Sequence, residues 1–98
     1  MEPRFHRSVQ RDLNEALEHY YPISKELGDD FFAEFRIGVA KVLANPRLFH
    51  FDGSGLRRFS LDRFPYHFLY DIRGVTLRVW VLRHDSRRPN YGTRRFKR

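Results

Sequence analysis

The spacing of apolar residues changes half-way along this 98-residue chain, and that change limits its possible folds more than any other feature. In residues 8–46 the apolar residues recur every three or four positions, which is the period of an amphipathic helix. In residues 56–84 they alternate with polar residues, which is the period of a strand with one buried face. A chain of this length forms one core, so the pattern predicts a single α+β domain over residues 1–98.

The first half is predicted to form two helices. The first begins after Ser8, the expected N-cap, and its apolar stripe is completed by Tyr20 and Tyr21. Gly28 is expected to mark the turn, and an aspartate at position 29 or 30 to cap the second helix, which ends before Pro46 because the residue before a proline avoids helical geometry. The apolar face of this second helix contains Phe31, Phe32, Phe35, Val39, Val42 and Leu43. A short connection between two such helices predicts an antiparallel helical hairpin.

The second half is predicted to form three antiparallel strands, over residues 56–61, 65–72 and 75–84. A two-residue turn at Arg73 and Gly74 joins the last two strands, because glycine supplies the positive φ that such turns need. A short strand between Arg4 and Arg7 is a candidate for an additional edge. The helical hairpin is expected to cover one face of this three- to four-stranded sheet.

Strict alternation assigns every strand residue to one of the two sheet faces. The set predicted to face the helices is Phe59, Leu61, Tyr66, Phe68, Tyr70, Ile72, Val75, Leu77, Val79 and Val81. The set predicted for the opposite face is Arg58, Ser60, His67, Leu69, Arg78, Trp80, Leu82 and His84. Apolar residues in the second set indicate either a partner surface or a face covered by a C-terminal segment that includes Tyr91 and Phe96, and the pattern leaves both open.

Charge is divided unevenly along the chain. Residues 1–50 carry 7 Lys and Arg against 8 Asp and Glu, net −1, whereas residues 51–98 carry 12 against 4, net +8. Eleven of those twelve cations are arginine, which pairs bidentately with phosphate or carboxylate. The basic half is suited to a polyanionic partner, either nucleic acid or an acidic protein segment, but charge alone favours the simpler interpretation of a solvated cationic face. Residues 87–98 are expected to form a basic C-terminal arm.

Composition also excludes several classes of function. There is no cysteine, which removes disulfide scaffolds, thiolate metal sites and cysteine nucleophiles. Apolar runs are too short for a membrane span and the N-terminus lacks the pattern of a secretion signal, so a cytoplasmic protein is expected. No phosphate-binding loop or metal-ligand cluster is visible, so no cofactor and no metal are expected.

Several short motifs, taken in order, resemble the RelE/ParE superfamily of toxins from bacterial type II toxin–antitoxin modules. The motifs are Arg11-Asp12-Leu13, Tyr20-Tyr21, Leu27-Gly28, Asn45-Pro46, Arg57-Arg58-Phe59-Ser60-Leu61, Arg63-Phe64-Pro65-Tyr66, Tyr70, Val81-Leu82-Arg83-His84 and Arg87-Arg88-Pro89-Asn90-Tyr91. The resemblance implies an N-terminal antiparallel helical hairpin packed on one face of a curved three- to four-stranded antiparallel sheet. It also implies a toxin that arrests bacterial growth and a cognate acidic antitoxin that neutralises it.

The superfamily contains two activities, ribosome-dependent cleavage of mRNA and ParE-type inhibition of DNA gyrase. In the nuclease branch, two strand lysines correspond here to Arg58 and Ser60. The arginine of the next strand corresponds to His67, and a later arginine falls near Asp85. Tyr91 matches the C-terminal tyrosine. A nuclease reading would use Arg58, His67, Arg83, His84 and Tyr91.

The departures at positions 60 and 67 favour the ParE type, with no catalytic residues. On this hypothesis an arginine-rich surface binds the gyrase or the antitoxin, and the exposed apolar residues of the sheet supply buried contact area. The residues expected to form this surface are Leu69, Arg78, Trp80, Leu82, Arg83, Arg87, Arg88, Arg94 and Arg95.

Overall fold

The computed structural model describes residues 1–96, so Lys97 and Arg98, the end of the expected basic arm, lie outside the described residues. The elements follow the order β1 (Glu2–Phe5), α1 (Arg7–Tyr20), α2 (Lys25–Ala44), β2 (Arg57–Ser60), β3 (Tyr66–Arg73) and β4 (Thr76–His84), with a short 3₁₀ turn at Thr93–Arg95. The strands form one sheet in the order β1-β4-β3-β2. The two helices and the four-stranded sheet confirm the predicted α+β class.

The additional edge strand exists, but it lies at Glu2–Phe5, two residues before the predicted position, and it pairs in the parallel sense. β1 lies along β4 with Glu2 opposite Thr76 and Phe5 opposite Val79, whereas β2–β3 and β3–β4 are antiparallel. Because β1 ends at Phe5 and the chain turns into α1, its pairing with β4 stops at Val79. The remaining five residues of β4, from Trp80 to His84, therefore have an edge that no strand of the described residues covers.

Both helices begin earlier than the sequence predicts. The N-cap of α1 is His6, whose Nδ1 accepts a hydrogen bond from the Ser8 amide at 3.1 Å, so the assignment of Ser8 as cap was wrong. Ser24 caps α2, and its Oγ accepts from the Leu27 amide at 3.0 Å. Gly28 consequently lies in the first turn of α2, not between the helices. It is buried there against the Tyr21 ring, which leaves no room for a side chain.

The core fills the space between the helices and one sheet face. An aromatic cluster lies at its centre, in which Tyr20 stacks on Phe31 at 5.3 Å between ring centroids and meets Phe64 edge-on at 4.9 Å. Such offset and edge-on pairs add roughly 0.5–1.5 kcal/mol beyond area burial. The buried core residues are Val9, Leu13, Ala16, Tyr20, Phe31, Phe35, Val39, Val42, Leu61, Phe64, Phe68, Tyr70, Leu77, Val79 and Leu82.

A bulge at Trp80 changes which residues of β4 face the helices. Leu69 lies opposite Val81 but Tyr70 lies opposite Val79, so Trp80 is the extra residue. Beyond the bulge the alternation is shifted by one position. Leu82 therefore joins the core, and Val81 faces the opposite side, which reverses both sequence predictions.

The turn between β3 and β4 is shifted by one residue from the predicted position. It consists of Gly74 and Val75, with Gly74 at φ +59°. Val75 was predicted to face the helices, but its position in the turn leaves it 74% exposed.

Candidate functional site

The sheet face opposite the helices, here called the reverse face, is covered along β4 by the chain's own residues 87–96, the C-terminal arm. Gly92 has φ +78°, and a Cβ at this position would lie 2.7 Å from Cγ2 of Val81. Leu69, beside Val81, is fully buried. The covered-face alternative is therefore correct for this part of the sheet, and Leu69 and Leu82 are not exposed contact residues.

Arg83 holds the arm against the reverse face. Its Nη1 donates to the carbonyl oxygens of Pro89 at 2.9 Å and Tyr91 at 3.0 Å. Its Nε donates to His67 Nε2 at 2.9 Å, and its Nη2 lies 3.8 Å from the Asp52 carboxylate. Only 4% of Arg83 is exposed, so this guanidinium acts inside the chain and does not reach a partner as the sequence predicted.

The hydrogen bonds of His67 define its protonation. Because the Arg83 Nε–H can only donate, His67 Nε2 must be the acceptor and Nδ1 must carry the proton. Nδ1–H then donates to Asp85 Oδ1 at 2.7 Å. Burial lowers the pKa of the His67 imidazole despite the opposing effect of Asp85, and the nearby guanidinium groups of Arg58 and Arg83 lower the pKa further. His67 is thus a neutral, buried linking group.

The charged side chains around His67 neutralise one another. Arg58 pairs with Asp85 at 3.3 Å and lies 3.9 Å from Asp52, while its Nε donates to Ser60 Oγ at 3.1 Å. We call Asp52, Arg58, His67, Arg83 and Asp85 the reverse-face cluster. Its two carboxylates balance its two guanidinium groups, which leaves little net charge for attracting a phosphate.

A second anchor of the arm lies at the uncovered edge of β4. The buried Asp12 carboxylate of α1 accepts a hydrogen bond from the Leu82 amide at 3.1 Å. Arg95 pairs with Asp12 through both terminal nitrogens and donates to the Trp80 carbonyl at 3.1 Å. The Tyr91 hydroxyl donates to Asp12 at 3.3 Å. Asp12 and Arg95 together satisfy backbone groups that β1 does not reach.

Arg78 and Trp80 are held by a shared carboxylate. Arg78 binds Asp71 through two parallel hydrogen bonds of 2.7 and 2.6 Å, and the Trp80 indole donates to the same group at 3.1 Å. The Arg78 guanidinium also lies 5.1 Å from the Trp80 ring centroid. Both residues are half-buried, and Phe96 lies against the Trp80 ring at 6.0 Å.

Three of the predicted contact arginines remain exposed: Arg87, Arg88 and Arg94. Arg87 lies over the Tyr91 ring at 4.5 Å and pairs with Glu15 at 3.5 Å. These three side chains give the arm a cationic outer surface.

An apolar groove that the sequence analysis missed lies between β1, α1 and α2, with a volume of about 480 Å³. Phe5 and Phe32 are 46% and 39% exposed at this groove. Arg7 and Arg36 stand at its rim, and Arg36 lies 5.8 Å from the Phe32 ring centroid. The sequence does contain a signal for this groove. Phe31 and Phe35 are one helical turn apart and lie on the same face of α2, so the adjacent Phe32 is left partly exposed.

Within residues 1–96, no three histidine, cysteine or carboxylate side chains are grouped so that they could bind a metal ion. No helix in the same range is both long and apolar enough to cross a bilayer.

Comparison with known proteins finds a similar structure but no match in sequence. No family model matches the sequence, and no curated protein matches it either. The structure is similar to a chain of the chromosomal ParDE toxin–antitoxin system from P. aeruginosa, with a TM-score of 0.74 and 19% identity. The similarity covers 86% of this chain and 95% of that chain.

The chain has a ParE-like fold. The architecture implied by the resemblance in sequence is therefore confirmed.

In this ParE-like fold the five residues of the nuclease alternative are not all brought together: Arg83, His84 and Tyr91 line one polar cleft beside α1, but Arg58 and His67 do not reach it. Arg58, His67 and Arg83 belong to the reverse-face cluster, whereas His84 contacts the Tyr66 ring on the helix side. The Tyr91 hydroxyl is bound to Asp12 at the sheet edge. The Trp80 bulge causes this separation, because it moves His84 to the face opposite His67.

Proposed function

We propose that this chain is the toxin of a type II toxin–antitoxin module, which arrests bacterial growth by ParE-like inhibition of DNA gyrase and is neutralised by a cognate acidic antitoxin. The observation that carries the proposal is the ParE-like fold, which the chain shares with a component of a ParDE system over 86% of its length. The sequence motifs support the same assignment independently.

The reverse-face cluster supports a non-catalytic inhibitor over a nuclease. A catalytic residue has to reach the scissile phosphate and the attacking hydroxyl. His67 and Arg83 are 1% and 4% exposed, and their polar atoms bond to other residues of the chain. Cleavage of RNA at this cluster would require the arm to leave the sheet first.

The outer surface of the arm is our candidate for the target contact. Arg87, Arg88 and Arg94 are exposed, and the anchors at Asp12 and Arg83 fix the backbone that carries them. Fixed arginines lose less conformational freedom on binding than those of a free tail. The arm is thus suited to an acidic surface on the gyrase.

The apolar groove is our candidate for antitoxin binding, and its charge defines the occupant. Phe5 and Phe32 provide the apolar floor, while Arg7 and Arg36 lie at the rim of a chain with formal net charge +7. An amphipathic helix with acidic flanks matches both features. We assign this occupant to a segment of the antitoxin.

The proposal is tested by controlled expression of the chain in a bacterial host, alone and together with the small protein encoded beside it. We expect growth arrest that the neighbouring protein relieves, together with a DNA damage response. Mapping of RNA 5′ ends after induction separates the two activities of the superfamily. Discrete cuts in mRNA would replace gyrase inhibition by nuclease activity, and unimpeded growth with folded protein present would contradict the proposal altogether.

A further inference from the structure

A polar cleft lies on the helix side of the sheet, between α1 and the C-terminal end of β4. Its volume is about 250 Å³, and the walls that matter here are formed by Glu15, His19, Tyr66, His84, Arg87 and Tyr91. We call it the α1–β4 cleft. Arg87 also belongs to the arm surface proposed to contact gyrase, whereas the other walls of the cleft have no part in that proposal.

The hydrogen bonds of His84 leave a donor available to this cleft. The Ser86 amide donates to His84 Nδ1 at 3.0 Å, and an amide N–H cannot accept. Nδ1 therefore carries a lone pair, and the neutral ring carries its proton on Nε2. That N–H has no hydrogen-bond partner among residues 1–96.

Tyr66 offers a second donor beside the first. Its ring lies 5.0 Å from the His84 ring, and its hydroxyl has no partner within the described part of the chain. Burial raises the pKa of the Tyr66 phenol, so the hydroxyl keeps its proton at neutral pH. Arg87 and Glu15 line the same cleft as this phenol.

Arg87 supplies the positive charge of the cleft, and Glu15 competes for it. The two groups lie 3.5 Å apart and both side chains are 49% exposed, which describes a weak and easily exchanged ion pair. The guanidinium carbon of Arg87 lies 4.5 Å from the centroid of the Tyr91 ring. Asp12, the other carboxylate nearby, is already neutralised by Arg95.

The geometry points to a binding site for the phosphate monoester of a nucleotide in the α1–β4 cleft. Arg87 exchanges Glu15 for the phosphate, while His84 Nε2–H and the Tyr66 hydroxyl donate to two of its oxygens. A carboxylate has the same charge as Glu15 and gains nothing by displacing it. A phosphate monoester has a charge near −2 and three acceptor oxygens, which match the three donors.

The test is NMR titration of the purified full chain, observing the side-chain signals of His84 and Tyr66. The probes are 5′-AMP and inorganic phosphate, with adenosine and acetate as matched controls. We expect both phosphates to shift the His84 signal and both controls to leave it unchanged. A trinucleotide RNA with and without a 5′-phosphate then distinguishes a strand end from a free nucleotide as the source of the group.

Two variants with opposite expected effects on phosphate affinity make the test specific. Arg87→Gln removes the ion pair with phosphate and should weaken binding at least about 10-fold, which corresponds to roughly 1.4 kcal/mol. Glu15→Gln removes the competitor and should tighten binding about 3-fold, in keeping with the roughly 0.2–1 kcal/mol of an exposed pair. Arg11→Gln, on the same helix but outside the cleft, should change nothing.

Three results would overturn the assignment. The first is acetate binding as tightly as phosphate, which would indicate a site for acidic protein side chains. The others are weaker phosphate binding by Glu15→Gln and undiminished phosphate binding by Arg87→Gln. Each of these variants is exposed in the folded chain, and an unchanged amide spectrum verifies the fold. None of the readouts depends on toxicity, so this site and the proposed function can fail separately.

Discussion

The Asp12 carboxylate accepts a hydrogen bond from the Leu82 amide at 3.1 Å, although 70 residues separate the two in sequence. This contact lies where β1 has ended and β4 continues without a neighbouring strand. Arg95 completes the arrangement by binding both Asp12 and the carbonyl of Trp80. One side chain from α1 and one from the arm thereby replace the missing backbone partners.

Asp12→Asn is expected to destabilise the fold by about 3 kcal/mol, because it leaves Arg95 partly buried without its counter-charge. Chemical denaturation of the variant measures this loss, and Glu18→Gln on the exposed side of the same helix serves as the control. A double-mutant cycle with Arg95→Gln should show strong coupling. Strictly additive losses would mean that the pair does not act as a unit.

Stability should fall at mildly acidic pH because of His67. Burial lowers the pKa of its imidazole in the folded chain, so the unfolded chain binds the proton more readily. The contribution is complete above the unfolded pKa of about 6.5 and is lost as pH falls below it toward the folded pKa. Denaturation at pH 7.5, 6.5 and 5.5 should show a steeper decline for the native chain than for His67→Gln.

His6, whose pKa burial also lowers, contributes a decline of the same sign in both proteins, so the difference between them isolates His67. Equal slopes in the native chain and in His67→Gln would contradict the neutral tautomer derived from Arg83 and Asp85.

Gly92→Ala should loosen the arm. The residue has φ +78°, and its added Cβ would press on Val81, so we expect a loss of about 1–3 kcal/mol from backbone strain alone. Gly53→Ala is the matched control, because no atom lies within 4 Å of a Cβ placed there. Limited proteolysis should cut the Gly92→Ala variant within residues 87–96 before the control. Equal protection of both proteins would mean that the arm is not held by this contact.

Phe32→Ala should weaken binding of the proposed antitoxin roughly 30-fold, the effect of losing about 2 kcal/mol at an interface hot spot. Ile37→Ala provides a control on the same helix, because Ile37 is 54% exposed but lies outside the apolar groove. Calorimetry with the purified partner measures both affinities. An equal change in the two variants would place the antitoxin elsewhere.

Periodicity was sufficient to predict the helical hairpin and the three main strands, because each depends on local spacing of apolar residues. The faces of β4 beyond Val79 were not predictable in this way. A single bulge at Trp80 exchanges the sides of Val81 and Leu82, and no residue there marks it. A register shift of one position affects every residue that follows.

The role of the arginines depended on long-range partners that the sequence does not indicate. In the sequence, nothing distinguishes Arg83 and Arg95 from the neighbouring Arg87 and Arg88. Their burial follows from Asp52 and Asp12, which are distant in the chain. Charge content therefore indicated that the second half is basic, but not which of its cations are exposed.

The most direct test of the account is a supercoiling assay with purified DNA gyrase and the purified chain. We expect inhibition by the native chain and a loss of at least about 10-fold when Arg87, Arg88 and Arg94 are all changed to alanine, which corresponds to roughly 1.4 kcal/mol. The charge-matched control changes the exposed Arg11, Arg47 and Arg73 to alanine and should inhibit like the native chain. Full gyrase activity at every ratio of the native chain to gyrase would contradict the central claim.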